Sequence, residues 1–135
     1  MTASPHALLH PANWKPAAGY SNGVAASGRM VFTGGLVGWN ASQEFESDDF
    51  VAQAARTLRN IVAVLAEAGA RPEHLVRLTW YVTDKKEYLG NLRALGRVYR
   101  EIIGRHYPAM ALVQVVALAE DRAKLEIEAT AVIPQ

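Results

Sequence analysis

The chain has 135 residues, with 14 Lys and Arg against 13 Asp and Glu, a formal net charge of +1. That length fits one domain that can bury a core without covalent staples. The absence of cysteine excludes disulfides, Cys-ligated zinc, iron–sulfur clusters and a thiol nucleophile, and the balanced charge argues against a protein that tracks nucleic-acid phosphates. The start, MTASPHALLHPANWKP, has no basic n-region, and no apolar run nears the ~18 residues of a membrane span. The expectation is a soluble cytoplasmic protein. Its apolar share, 50%, is slightly high for a small soluble domain.

Residues 1–19 carry Pro5, Pro11 and Pro16 and read as an irregular N-terminal arm on a single domain spanning 1–135. Tyr20 to Ser27 and Arg29 to Gly38 read as two strands, with Ser27-Gly28 as a hairpin turn between them. The second strand is apolar on both faces at Met30, Val31 and Phe32, and Gly34-Gly35 then removes two side chains in a row. Such a pair marks either a bulge or backbone amides open to a ligand. After a polar loop, Ser47 or Asp48 can cap a helix running to about Ala68. Val51, Ala55, Leu58, Val62 and Leu65 give it an apolar face, and Gly69 is the expected stop.

Leu75 to Thr83 is β-rich, with Val76, Leu78, Trp80 and Val82 on one face and Arg77, Thr79 and Tyr81 on the other. Asp84 and Glu87 have capping-box spacing and open a second helix, striped by Tyr88, Leu92, Leu95, Tyr99 and Ile102. Gly90 and Gly96 weaken that helix by about 1 kcal/mol each and mark close packing. Ala109 to Leu118 and Lys124 to Val132 are the last strands; in the latter Leu125, Ile127, Ala129 and Ala131 alternate with Lys124, Glu126, Glu128 and Thr130.

The order is ββαβαββ. Right-handed crossovers place both helices on one face of a mixed sheet. Strands that are apolar on both sides leave the opposite face in need of cover, which predicts a homo-oligomer. For chemistry, His6, His10, His74 and His106 lack metal-site spacing, and no nucleophile elbow or phosphate loop occurs. Two features remain. Glu126 and Glu128 share a strand face, where a half-buried carboxylate can hold a water or move a proton. Arg105, His106 and Tyr107 cluster before a strand.

Taken together, Tyr20-Ser21-Asn22-Gly23, FTGGL, QAARTLRNIVAVLAEAGA, LVRLTWYVTD, YPAM with VQV, and KLEIEATAV occur in the order and spacing of one family. The chain resembles the RidA (YjgF-like) reactive-intermediate deaminases, also called L-PSP endoribonucleases, from about Tyr20 to Val132. The resemblance implies an α+β, chorismate-mutase-like fold in a homotrimeric barrel with clefts between subunits. It implies a hydrolase that needs no cofactor and no metal and converts a small enamine or imine to a carbonyl compound and ammonia. Carried over, Tyr20 joins the catalytic site, Thr33-Gly34-Gly35 supply backbone amides, Glu126 positions the water and Leu112 offers its carbonyl. The family's Pro-Ala-Arg, whose Arg pairs with the substrate carboxylate, reads Pro108-Ala109-Met110 here. Met has neither charge nor donor, so the expected substrate differs from 2-aminoacrylate-type imino acids. Met110 would line a more apolar pocket beside Trp39 or Trp80, or a cation such as Arg77 or Arg105 would stand in. A trimer that binds a small ligand without turnover is the alternative; an endoribonuclease fits the charge less well.

Overall fold

A computed structural model describes residues 3–135. A two-stranded sheet pairs β1 (Ala7–Leu9) with β2 (Gly23–Ala25). The main sheet holds β3 (Arg29–Phe32), β4 (Leu36–Val37), β5 (Leu75–Val82), β6 (Ala109–Gln114) and β7 (Leu125–Ile133). Its order is β3-β7-β5-β6, with β4 also on β7. Only β5 and β6 run parallel; β7 is antiparallel to β3, β4 and β5. The helices are α1 (Phe50–Glu67), α2 (Lys85–Leu89) and α3 (Leu92–Ile102), with a 3-10 turn over Pro72–His74. The fold is α+β with a mixed sheet, as expected from the element order.

Three expectations change in detail. The hairpin across Ser27-Gly28 does not form: β2 pairs with β1, so the arm contains a strand, and β3 pairs with the far end of β7. Gly28 does take positive φ, +144°, because its backbone lies tight against the Ile133 carbonyl, where a Cβ would clash. The strand expected over 29–38 is interrupted at Thr33-Gly34-Gly35, and its halves share the same edge of β7. The second helix breaks at Gly90-Asn91. Asp84 caps α2 by accepting from the Lys86 amide at 2.9 Å, but Glu87 turns to Lys124 Nζ at 3.1 Å instead of closing a capping box.

The core lies between α1 and the sheet. Leu58, Ile61 and Leu65 meet Leu78, Leu125 and Ile127, all fully buried. The buried face of α1 is centred on these residues and Ala54, with Val51 and Val62 at its flanks. Asp49, one residue beyond the expected cap, accepts from the Ala52 amide at 2.9 Å. At the other end Ala70 N donates to Leu65 O and Gly69 N to Ala66 O, with Gly69 at φ +78°, so a left-handed residue satisfies the last carbonyls.

Candidate active site

The alternation of β5 and β7 creates two different faces. Paired residues on adjacent strands share a face. Leu78 and Trp80 are buried under the helices and pair with Met110 and Leu112 of β6. Tyr81 and Thr79 point the other way and pair with Glu126 and Glu128. Glu126 therefore lies on the open face of the sheet and Met110 on the covered face.

On the open face, the Glu126 carboxylate sits directly against Gly35; a Cβ at residue 35 would collide with Oε2. The strand break is thus a seat for a carboxylate. Two residues along β7, Glu128 Oε1 accepts from the Tyr81 hydroxyl at 2.9 Å. That hydrogen bond raises the Tyr81 pKa, with desolvation and the two glutamate charges adding to it. Thr33 is committed to β7: its amide donates to Ala129 O and its hydroxyl accepts from Ala129 N, both at 2.9 Å. Its amide is not free for a ligand, which corrects the expected Thr33-Gly34-Gly35 segment. Gly34 and Gly35, between the strands, remain, and Gly34 has open space where a side chain would stand.

On the covered face a cavity of about 500 Å³ opens between β5, β6 and α3, with Tyr20 and Tyr107 at its border. Met110 and Leu112 line it with Trp80, Tyr88 and Tyr99. The aromatic rings hold one another in place. Trp80 and Tyr88 meet edge to face with centroids 5.6 Å apart, and Tyr99 stacks on Tyr107 at 5.4 Å. The Tyr99 hydroxyl donates to the His106 carbonyl at 2.5 Å. Burial raises the pKa of Tyr88 and, more strongly, of Tyr99, so both rings are neutral at ordinary pH. Trp80 Nε1 is buried with no hydrogen-bond partner among the described residues.

Tyr20, 40% exposed, borders this cavity and a second one of about 620 Å³ beneath the arm. Ser21 anchors it: its amide donates to Pro108 O at 3.0 Å and its hydroxyl to Tyr107 O at 2.5 Å. One chain thus brings together Tyr20, Met110 and Leu112, and separately Gly35 and Glu126. Of the aromatic neighbours expected for Met110, Trp80 is present, whereas Trp39 packs on Phe45 with centroids 5.8 Å apart. Arg77 lies on the Thr79 side of β5, away from Met110, and Arg105 borders the cavity beneath the arm. The cation that does line the Met110 cavity is Arg100, on α3. Its only sequence signal was Gly96, one turn earlier. Among the described residues no group of three or more His, Asp or Glu is placed to hold a metal ion, and no helix is long and apolar enough to cross a membrane.

A model of the Endoribonuclease L-PSP family matches residues 11–133. The chain belongs to this RidA (YjgF-like) family. Relatives within it include Protein DfrA of Myxococcus xanthus, 39% identical over 115 residues and covering 84% of each chain. Another is TdcF of Escherichia coli, named a candidate reactive intermediate deaminase, 33% identical over 108 residues that cover 78% of this chain and 80% of TdcF. Among solved structures, the Rid-family protein YyfB of Yersinia pestis superposes with TM-score 0.85 at 34% identity, covering 95% of this chain and 98% of its own. RidA of a Psychrobacter species gives TM-score 0.67 at 29% identity, covering 88% and 92%. The RidA-family fold therefore accounts for nearly the whole chain.

Proposed function

We propose that the protein is an enamine or imine deaminase whose sites form between copies in a homotrimer. The observation that carries this reading is the Glu126 carboxylate seated on Gly35, on a sheet face that no helix covers. On that same face Phe32 is 64%, Met30 58% and Val113 44% exposed. Met30 and Phe32 lie at one edge of that face and Val113 at the other, with Glu126, Glu128 and Tyr81 between them, so exposed apolar side chains flank the carboxylates on both sides and favour cover by another chain. A neighbouring copy laid on that face would bring its Tyr20–Met110 cavity toward Glu126, which one chain alone does not do.

In the proposed reaction Glu126 accepts a proton from water as the oxygen adds to the imine carbon. The nitrogen takes up that proton to give a carbinolamine; the hydroxyl then yields its own proton to the nitrogen as the C–N bond breaks, so ammonia leaves with both protons of the water and a carbonyl compound remains. The aromatic rings of Trp80, Tyr88 and Tyr99 around Met110 favour a substrate with a bulky apolar side chain over a 2-aminoacrylate-type imino acid.

Ammonia release from enzymatically generated imino acids tests the reading. Turnover is expected on large apolar imino acids and is expected to fall by about 10²-fold or more in Glu126→Ala, the scale of a lost general base. Turnover that survives Glu126→Ala unchanged would overturn the catalytic role. No release from any imino acid in wild type or in Met110→Arg would leave a ligand-binding trimer, the reading that the uncharged Met110 supports.

A further inference from the structure

The cavity around Met110 is walled by aromatic rings, yet one cation reaches it. Arg100 lines it from α3, together with Gly96. The two are four residues apart, hence stacked on one helix face. The Arg100 guanidinium folds back over residue 96: a Cβ there would lie 3.2 Å from Nη1. This accounts for a glycine in the interior of α3, where it costs helix stability. The missing side chain leaves the space the guanidinium occupies. Within the described residues no hydrogen bond or ion pair engages the Arg100 side chain. Outward from the cavity it borders a surface hollow shared with Arg97, Glu101 and Arg105, so the mouth carries an excess of positive charge.

These observations fit one kind of ligand. Stacked and edge-on rings of Trp80, Tyr88 and Tyr99 offer an apolar, aromatic-sized space. A planar, unpaired guanidinium at its mouth matches a carboxylate. We propose that Arg100 on α3, held by Gly96, takes the substrate carboxylate in place of the arginine missing at residue 110, and that the substrate is an imino acid with an aromatic side chain. The substrate part rests on the deaminase reading above; the carboxylate site does not.

Calorimetric titration of the intact protein tests it, with phenylpyruvate, the keto acid that such an imino acid would yield, and its uncharged methyl ester as probes. Wild type is expected to bind the acid more tightly than the ester. Arg100→Gln is expected to weaken the acid by about tenfold or more, the loss of one charge-assisted pair, and to leave the ester unchanged. Gly96→Ala, which favours the helix but crowds the guanidinium, is expected to weaken the acid in the same direction. The inference is overturned if wild type does not prefer the acid, or if Arg100→Gln binds the acid within about twofold of wild type. It is equally overturned if acid and ester weaken together. The two readings fail separately. Arg100-dependent binding with no ammonia release sinks the deaminase and keeps the carboxylate site. Glu126-dependent release whose KM is untouched by Arg100→Gln does the reverse.

Discussion

Gly35 and Glu126 act as a pair, and neither is interpretable without the other. The carboxylate end that a Cβ at 35 would strike is the far end of a flexible side chain. Gly35→Ala should therefore fold with nearly wild-type stability while displacing the carboxylate, and its turnover is expected to fall toward that of Glu126→Ala. Thermal melts alongside ammonia release check both halves of that statement. His74 offers a second residue-scale test. Burial lowers its pKa from the usual 6.5, against the opposing pull of Glu73. Its Nδ1 accepts from the Arg71 amide at 2.9 Å, a bond that needs the unprotonated nitrogen. Below about pH 6.5 the unfolded chain binds a proton that the folded chain resists, so stability is complete above that pH and declines as pH falls through the window beneath it. Urea midpoints between pH 7.5 and 5.5 should show the decline, and His74→Gln should flatten it. The Glu126 position was legible from strand alternation and family resemblance. Arg100 was not, because a lone arginine on a helix carries no signal until the opposing cavity is known.

At the level of elements, α1 is tied to the sheet by a polar residue that periodicity alone passes over. Gln53 is 1% exposed. Its Nε2 donates to Ser47 O and Arg122 O, and its Oε1 accepts from Lys124 N, all at 2.9–3.0 Å. It thereby pins the start of β7 and the loop before α1. Gly38 packs on the same turn, where a Cβ would lie 2.6 Å from Gln53 O. Gln53→Leu removes the partners of three part-buried backbone groups and should cost about 1–3 kcal/mol, read as a lowered denaturation midpoint. The helices and β5–β7 were legible in the sequence because their apolar periods are long and regular. The β2–β3 hairpin was misread because Gly28 signals positive φ without saying why. Here the reason is a close approach to the Ile133 carbonyl at the end of β7, a long-range contact invisible in local sequence. The split between α2 and α3 was visible only as an unexplained glycine.

For the whole molecule, the uncovered sheet face decides the most. Met30 and Phe32 look outward while Val31 between them packs on the core, so β3 presents apolar side chains to both sides of the sheet. Size-exclusion with light scattering should give three chains per particle. Phe32→Asp should shift that mass toward one chain and abolish turnover together, since the proposed site draws on two copies; a fully active monomer would sink this arrangement. By itself the sequence determined the fold class, the family, the places of α1, β5 and β7, and the alternation of β7 that sets Glu126 opposite the core, because hydrophobic periodicity and strand pleat are local consequences of residue order. Only the tertiary structure decided which groups meet. It set Gly35 under Glu126, put Met110 on the opposite face, and brought Arg100 to the Met110 cavity. Those distances depend on strand register and helix packing, and no spacing along the chain encodes them.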